Sequence, residues 1–297
     1  MLQLPRRTLA LGSHTLVMGI LNVTPDSFSD RGSYFERRAA VARGLEIERE
    51  GAGLLDIGGE STRPGALPVE AAEEIDRAIP VIEALRRKGL RIPISIDTTK
   101  AAVADRALRA GAEIVNDVSG LRYDPGLAEV VRRHQAAVVL MHLRGTPRTM
   151  QELPQVKNLL PAIRRGLSAS IRRALHAGIK KRQIVIDPGI GFGKDADQNF
   201  EILKGLPSLT RLGYPVLAGP SRKSFLRWAL SDLSKTPFRS KSFRHNRKVG
   251  NSVPEELLFG TAAAVTAAIL NGAHIVRVHD VRQMVQVARI ADRILSP

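Results

Sequence analysis

Eight short apolar runs, each ending in a polar or glycine-rich turn, constrain the fold of this chain more than any other feature. They span residues 16–21, 53–57, 92–96, 113–115, 137–141, 184–186, 215–218 and 274–278. They are too short for helices and rich in Val and Ile, as expected of parallel strands buried on both faces. Longer stretches lie between them and read as helices: 37–50, 69–88, 100–110, 126–134, 159–177, 199–206, 221–230 and 254–270. Several end at glycine, as at Gly51, Gly89, Gly111, Gly178 and Gly272, which suits left-handed caps. Alternation repeated eight times over 297 residues predicts an α/β fold, a (β/α)8 TIM barrel forming one domain over residues 1–297. An open parallel sheet is the other arrangement that alternation permits.

Composition removes several function classes. With 43% hydrophobic residues the chain has ample material for a core. It has no cysteine, so disulfides and thiolate chemistry are excluded, and its seven histidines form no HExxH pattern. No stretch approaches the roughly 20 apolar residues of a membrane span, so no membrane association and a cytoplasmic location are expected. The net charge of +16 suits nucleic acid, anionic small substrates, or solvated arginine-rich helix faces. The arginines lie opposite apolar helix faces, which favours the last and argues against nucleic acid as a partner. One segment breaks the pattern. Residues 231–252 hold Lys235, Arg239, Lys241, Arg244, Arg247 and Lys248 against Asp232 and read as a basic surface insertion in the seventh βα unit.

A barrel of this kind builds its site at the carboxyl ends of its strands. The residues found there are Asn22, Asp56, Asp97, Asn116, Asp117, His142, Asp187, Ser221–Ser224, Arg277, His279 and Asp280. Asp97, Asn116 and Asp187 can bond the edge of a flat heterocycle in its plane. Arg63, Lys223, Arg277 and His279 suit phosphate or carboxylate. The glycine-rich run from Asp187 to Lys194 is no P-loop, because Asp195 stands where Ser or Thr is required; it reads as a tight βα turn. Ser221-Arg222-Lys223-Ser224 reads as the opening of a helix and a seat for an anion.

Two long motifs carry a family resemblance. The run from Met18 to Asp30, MGILNVTPDSFSD, and the run from Asp56 to Gly65, DIGGESTRPG, resemble the signatures of dihydropteroate synthases, which are pterin-binding barrels. Ile96-Asp97-Thr98, Asn116-Asp117, Asp187-Pro188-Gly189, Ser221-Arg222-Lys223-Ser224 and Arg277-Val278-His279-Asp280 are similar to family motifs in the same order. The resemblance implies a transferase that condenses 6-hydroxymethyl-7,8-dihydropterin diphosphate with 4-aminobenzoate in folate biosynthesis. It implies a pterin pocket of Asp97, Asn116, Asp187 and Lys223, with Ser221 and Arg222 nearby and Met141 and Phe192 lining it. Arg63, Arg277 and His279 fall at the diphosphate, with Mg2+ near Asn22. Thr62, Pro64 and Ser224 fall at 4-aminobenzoate, and Asp30 at developing positive charge. The family is a sulfonamide target, and a homodimer is what it suggests. Arg31 and Leu257 stand where the family usually has Gly and Arg. Two other readings remain: a methyltetrahydrofolate:corrinoid protein methyltransferase, which would share Asp97, Asn116 and Asp187, and a non-enzymatic nucleic-acid binder using the basic insertion.

Overall fold

The computed structural model describes the chain outside residues 25–31, 62–64, 147, 151, 232–253 and 297. A short hairpin, β1 (Leu2–Gln3) and β2 (Thr8–Leu9), precedes the repeating units. These run β3 (Leu16–Asn22), α1 (Gly32–Arg49), β4 (Leu54–Gly58), α2 (Ala71–Arg87), β5 (Ile94–Asp97), α3 (Ala101–Ala110), β6 (Ile114–Asp117) and α4 (Leu127–Arg133). They continue with β7 (Ala137–Met141), α5 (Leu159–His176), β8 (Ile184–Asp187), α6 (Ala196–Thr210), β9 (Leu217–Ala218), α7 (Ser224–Ser231), α8 (Pro254–Leu270), β10 (Ile275–Val278) and α9 (Val281–Leu295).

Eight parallel strands pair in the order β8-β7-β6-β5-β4-β3-β10-β9. The two ends meet: Ile186 bridges Val216 in parallel, and the Ile186 N–H donates to the Pro215 carbonyl at 2.9 Å. The sheet is therefore a (β/α)8 barrel and not an open sheet. Every residue of β4 through β8 is buried, which is why their sequences lack a polar alternation.

Side chains alternate across each strand with a period of two. One set packs between strands and helices, as Val17, Leu55, Ile57, Val115, Val138, Ile186 and Val276 do. The other set fills the barrel interior: Met18, Leu54, Ile114, Ala137, Val139, Val185, Leu217 and Ile275, with Leu2 and Leu4 of the hairpin segment in the same cluster. The N-terminal segment thus plugs the barrel's lower end. This hairpin was not foreseen, because strands of two residues carry no readable period.

Helices α1, α6, α7 and α9 depart furthest from expectation, and α1 begins at Gly32 where residue 37 was expected. Helix α6 was expected to end before Pro207, yet it runs on to Thr210. Ser208 and Thr210 hydroxyls donate to the carbonyls of Gly205 and Pro207 at 2.7 and 2.9 Å, supporting the turn that proline weakens. Its start is set by Asp195, whose carboxylate accepts from the Gln198 N–H at 2.8 Å while the Gln198 side chain accepts from the Asp195 N–H. Helix α7 begins at Ser224 and not at Ser221, because Arg222 adopts a left-handed φ of 56°. Helix α9 was missing from the expected set, although Val281, Met284, Ala288 and Ala291 fall on one buried face. The expected insertion at 231–252 lies outside the described residues, apart from Ser231 at the end of α7.

Helix α9 is tied to the foot of β3. Asp292 accepts from the Thr15 N–H at 2.8 Å and from the Thr15 hydroxyl at 2.6 Å. Asp292→Ala is expected to lower stability in urea unfolding by about 1.5–3 kcal/mol, the range for hydrogen bonds to a charged group. An unaltered urea midpoint would show that water replaces the carboxylate there.

Candidate active site

Strand alternation decides which polar groups meet. Leu54, Ile114, Val185 and Ile275 point into the barrel. Asp56, Asn116, Asp187 and Arg277 lie two residues further along the same strands, so they enter the interior one layer higher. Asp97, at the end of β5, is in register with Gly58 on one side and Asn116 on the other. Asn22 ends β3 opposite Gly58.

Arg277 joins this layer together. Its Nε donates to Asp56 Oδ2 at 2.6 Å and its Nη2 to Asp97 Oδ2 at 2.9 Å. Asn116 Nδ2 donates to the same Asp56 oxygen at 3.0 Å. The second oxygens, Asp56 Oδ1 and Asp97 Oδ1, are buried without a hydrogen-bond partner. Leaving such an acceptor unmet costs about 1–3 kcal/mol each, and a ligand N–H is the natural remedy. Burial holds Asp97 above the ordinary carboxylate range, against the pull of Arg277.

A second charge pair faces the first. Asp187 Oδ1 accepts from the Gly189 N–H at 2.7 Å. Burial raises the Asp187 pKa, opposed chiefly by Lys223. Lys223 is lowered to about 8, first by burial, with Asp187 resisting. Its ammonium donates to the Ile190 carbonyl and sits 4.4 Å from the centre of the Phe192 ring. Met141 belongs to a small apolar cluster with Val118, Leu143 and Met150, and Phe192 packs against it. An apolar wall therefore stands beside in-plane polar groups.

The last strand brings its own pair. Ser221 Oγ lies 3.0 Å from His279 Nδ1 and accepts from the His279 backbone N–H at 3.2 Å. With the Ser221 hydroxyl donating to Nδ1, the ring N–H falls on Nε2. Arg222 pairs with Asp280 through Nε at 2.9 Å and through Nη2, and its N–H donates to Thr261 Oγ1 at 3.1 Å. Arg222 and Ser224 are exposed at the rim. Asp30, Thr62, Arg63 and Pro64 lie outside the described residues. Asp56 was expected on the strand-end rim but was given no role in binding or catalysis. Its signal was plain, a carboxylate inside an apolar run, and its wholly buried side chain binds Arg277.

With this geometry in view, comparison with known proteins is specific. Residues 18–279 match the family model of the pterin binding enzymes. The chain belongs to the pterin binding enzyme family. It is 47% identical to a Synechocystis protein named dihydropteroate synthase, over 95% of this chain and 90% of that one. It also resembles the solved dihydropteroate synthase of Clostridium difficile, determined in the presence of pteroic acid, at TM-score 0.86 and 41% identity, covering 98% and 100% of the two chains. The dihydropteroate synthase of Xanthomonas albilineans in complex with 7,8-dihydropteroate matches at TM-score 0.80 and 39% identity, covering 96% and 95%.

The depressed lysine has a measurable consequence. A basic group with a lowered folded pKa binds fewer protons folded than unfolded between the two values, so stability rises with pH there. The wild-type chain is expected to gain stability relative to Lys223→Met as pH climbs from about 8 toward the unfolded lysine value of about 10.4. Parallel stability curves for the two proteins over that range would refute the burial assigned to Lys223.

Proposed function

We propose that this site carries out the dihydropteroate synthase reaction, joining 6-hydroxymethyl-7,8-dihydropterin diphosphate to 4-aminobenzoate. The observation that carries the reading is the pair of buried, undonated carboxylate oxygens on Asp56 and Asp97, set across from Asp187 and Lys223. An aminopyrimidinone edge presents adjacent N–H donors and a carbonyl acceptor in one plane, which is what such a ring of groups requires. Asp97, Asn116, Asp187 and Lys223 take that edge, and Met141 and Phe192 take the faces of the ring. The Clostridium difficile and Xanthomonas albilineans relatives, named for pteroic acid and 7,8-dihydropteroate, support this reading over a corrinoid methyltransferase or a nucleic-acid binder.

The chemistry follows from charge. The bond between the pterin methylene and the diphosphate oxygen breaks, and its electron pair leaves with diphosphate. The arylamine nitrogen forms the new bond to that carbon and releases a proton to solvent. Arg63, Arg277 and His279 stabilise the departing oxygens, and Asp30 the opposite pole. Arg277 is already shared by Asp56 and Asp97, so it couples the pterin layer to the leaving group. Thr62, Pro64 and Ser224 orient 4-aminobenzoate, a neutral amine that needs positioning rather than a base. Ser221 holds the His279 ring, and Arg222 ties that rim to Asp280.

Among the described residues no three His, Asp or Glu side chains converge as a metal cage. A hydrated hard cation needs no such cage, because Asn22 Oδ1 with diphosphate oxygens and water suffices. Mg2+ held by Asn22 would supply charge neutralisation at the leaving group.

A second copy of the chain is the partner we infer. Helices α8 and α9 pack together and leave large apolar side chains in the open. Phe259 is 66% exposed, Ile290 66% and Ile294 60%. Ile290 and Ile294 share one stripe, and clusters of this kind mark association surfaces. Among the described residues no helix is long and apolar enough to cross a membrane, and a cytoplasmic location remains our reading.

Purified chain supplied with both substrates and Mg2+ is expected to form 7,8-dihydropteroate, and a chelator to suppress turnover; no product would sink the reading. Asp97→Asn and Asp187→Asn should each weaken pterin binding by about 1.5–3 kcal/mol in calorimetry, as charge-assisted bonds are lost. Unchanged affinity in both variants would remove the pocket assignment. For the partner, Ile290→Glu combined with Ile294→Glu should convert a dimer to monomer in light scattering. A wild type that is monomeric at micromolar concentration would end that proposal.

A further inference from the structure

Lys194 takes no part in the chemistry above, yet its side chain is buried under the pocket, 6% exposed. Its ammonium donates to three backbone carbonyls: Gly189 at 2.7 Å, His142 at 2.9 Å and Phe192 at 3.0 Å. Burying an ammonium on neutral carbonyls is costly, so the three points it joins deserve a reason. Gly189 is the residue whose N–H holds the Asp187 carboxylate. Phe192 carries the ring beneath Lys223. His142 follows Met141 at the end of β7. One side chain therefore fastens the carboxylate, the aromatic face and the apolar strand end of the same pocket.

The turn has one backbone hydrogen bond of its own, from the Phe192 N–H to the Gly189 carbonyl at 3.1 Å, and Asn199 Oδ1 accepts from the Gly191 N–H at 2.6 Å, but its glycines are costly to fix. Gly189, Gly191 and Gly193 adopt left-handed φ values of 71°, 81° and 68°, and glycine loses more conformational freedom than any other residue when fixed. Arg144 adds a further tie, donating to the Gly193 carbonyl at 3.0 Å. Three carbonyl oxygens around Nζ require three N–H donors, and the protonated form supplies them. Burial, Lys223 and Arg144 draw Lys194 toward neutrality, while Asp187 resists.

Resting on the pterin reading of the site, we propose that Lys194 is a positioning residue for the pterin, holding the Asp187 carboxylate and the Phe192 ring in binding geometry. It also places positive charge beside Asp187, where Lys223 and Arg277 supply the rest. Two variants separate the roles. Lys194→Gln keeps two N–H donors and removes the charge, whereas Lys194→Met removes both.

The test measures calorimetric affinity for 6-hydroxymethyl-7,8-dihydropterin, the KM for 4-aminobenzoate, and the pH dependence of pterin binding. Pterin affinity should fall about tenfold in Lys194→Gln and further in Lys194→Met, as hydrogen bonds to the turn are lost. The KM for 4-aminobenzoate should stay within about twofold, since a pure loss of folded protein would not separate the two substrates. The acid limb of pterin binding should move to higher pH in both variants, because Asp187 loses a neighbouring cation. Of the other groups facing Lys194, Lys223, lowered to about 8 mainly by burial, titrates above that window, and His142, lowered to about 3 mainly by burial, stays neutral across it, while the Arg144 guanidinium is untouched by either variant. Equal losses for both substrates, an unmoved acid limb, or failure of both variants to fold would overturn the proposal and assign Lys194 to stability alone. A wild-type chain that binds no pterin would instead sink the pocket reading beneath it.

Discussion

Closing a parallel sheet into a barrel forces the inward side chains of eight strands into stacked layers, and the remaining features depend on that stacking. Ile186 and Val216 make the closing contact. Once it is made, period-two alternation leaves no choice about neighbours. Leu54, Ile114, Val185 and Ile275 seal the lower barrel, and Asp56, Asn116, Asp187 and Arg277 follow two residues later. A slip of one residue in any strand would exchange its inward and outward sets. The floor of the site and the site itself are thus one packing decision.

The upper layer is expensive to keep. Asp56, Asp97 and Asp187 are buried carboxylates, and removing such groups from water costs several kcal/mol each before pairing offsets it. Arg277 offsets part of that cost for two of them, and Lys223 supports the third. The offset is incomplete, since two carboxylate oxygens lack partners. Incomplete satisfaction of this kind is tolerated where a ligand completes it. The same logic extends one shell outward to Lys194, which holds the turn behind Asp187.

The fold was legible from the strands outward. Parallel strands buried on both faces write themselves as short Val- and Ile-rich runs, and all eight runs became strands of the barrel. Helix boundaries were less legible. The expected helix 199–206 stopped short of Pro207, but α6 continues past it with hydroxyl bonds from Ser208 and Thr210 to the carbonyls of that turn. Ser221 read as a helix start, but the left-handed Arg222 delays α7. Dihedral angles at single residues decide such ends, and they answer to tertiary contacts rather than to local periodicity.

For the site, the sequence alone supplied the polar strand ends and the long motifs at 18–30 and 56–65, because strand-end chemistry and motif spacing are local properties. It could place Asp97, Asn116, Asp187, Lys223, Arg277 and His279 on one rim through the logic of the barrel. It could not say that Arg277, which it set at the diphosphate, is held between Asp56 and Asp97, residues 221 and 180 positions away in the chain. Nor could it show that Lys194 turns away from solvent onto three carbonyls. Those pairings depend on which strands become neighbours and on how deeply each charge is buried. Dielectric and distance are properties of the closed barrel, and only the tertiary structure decides them.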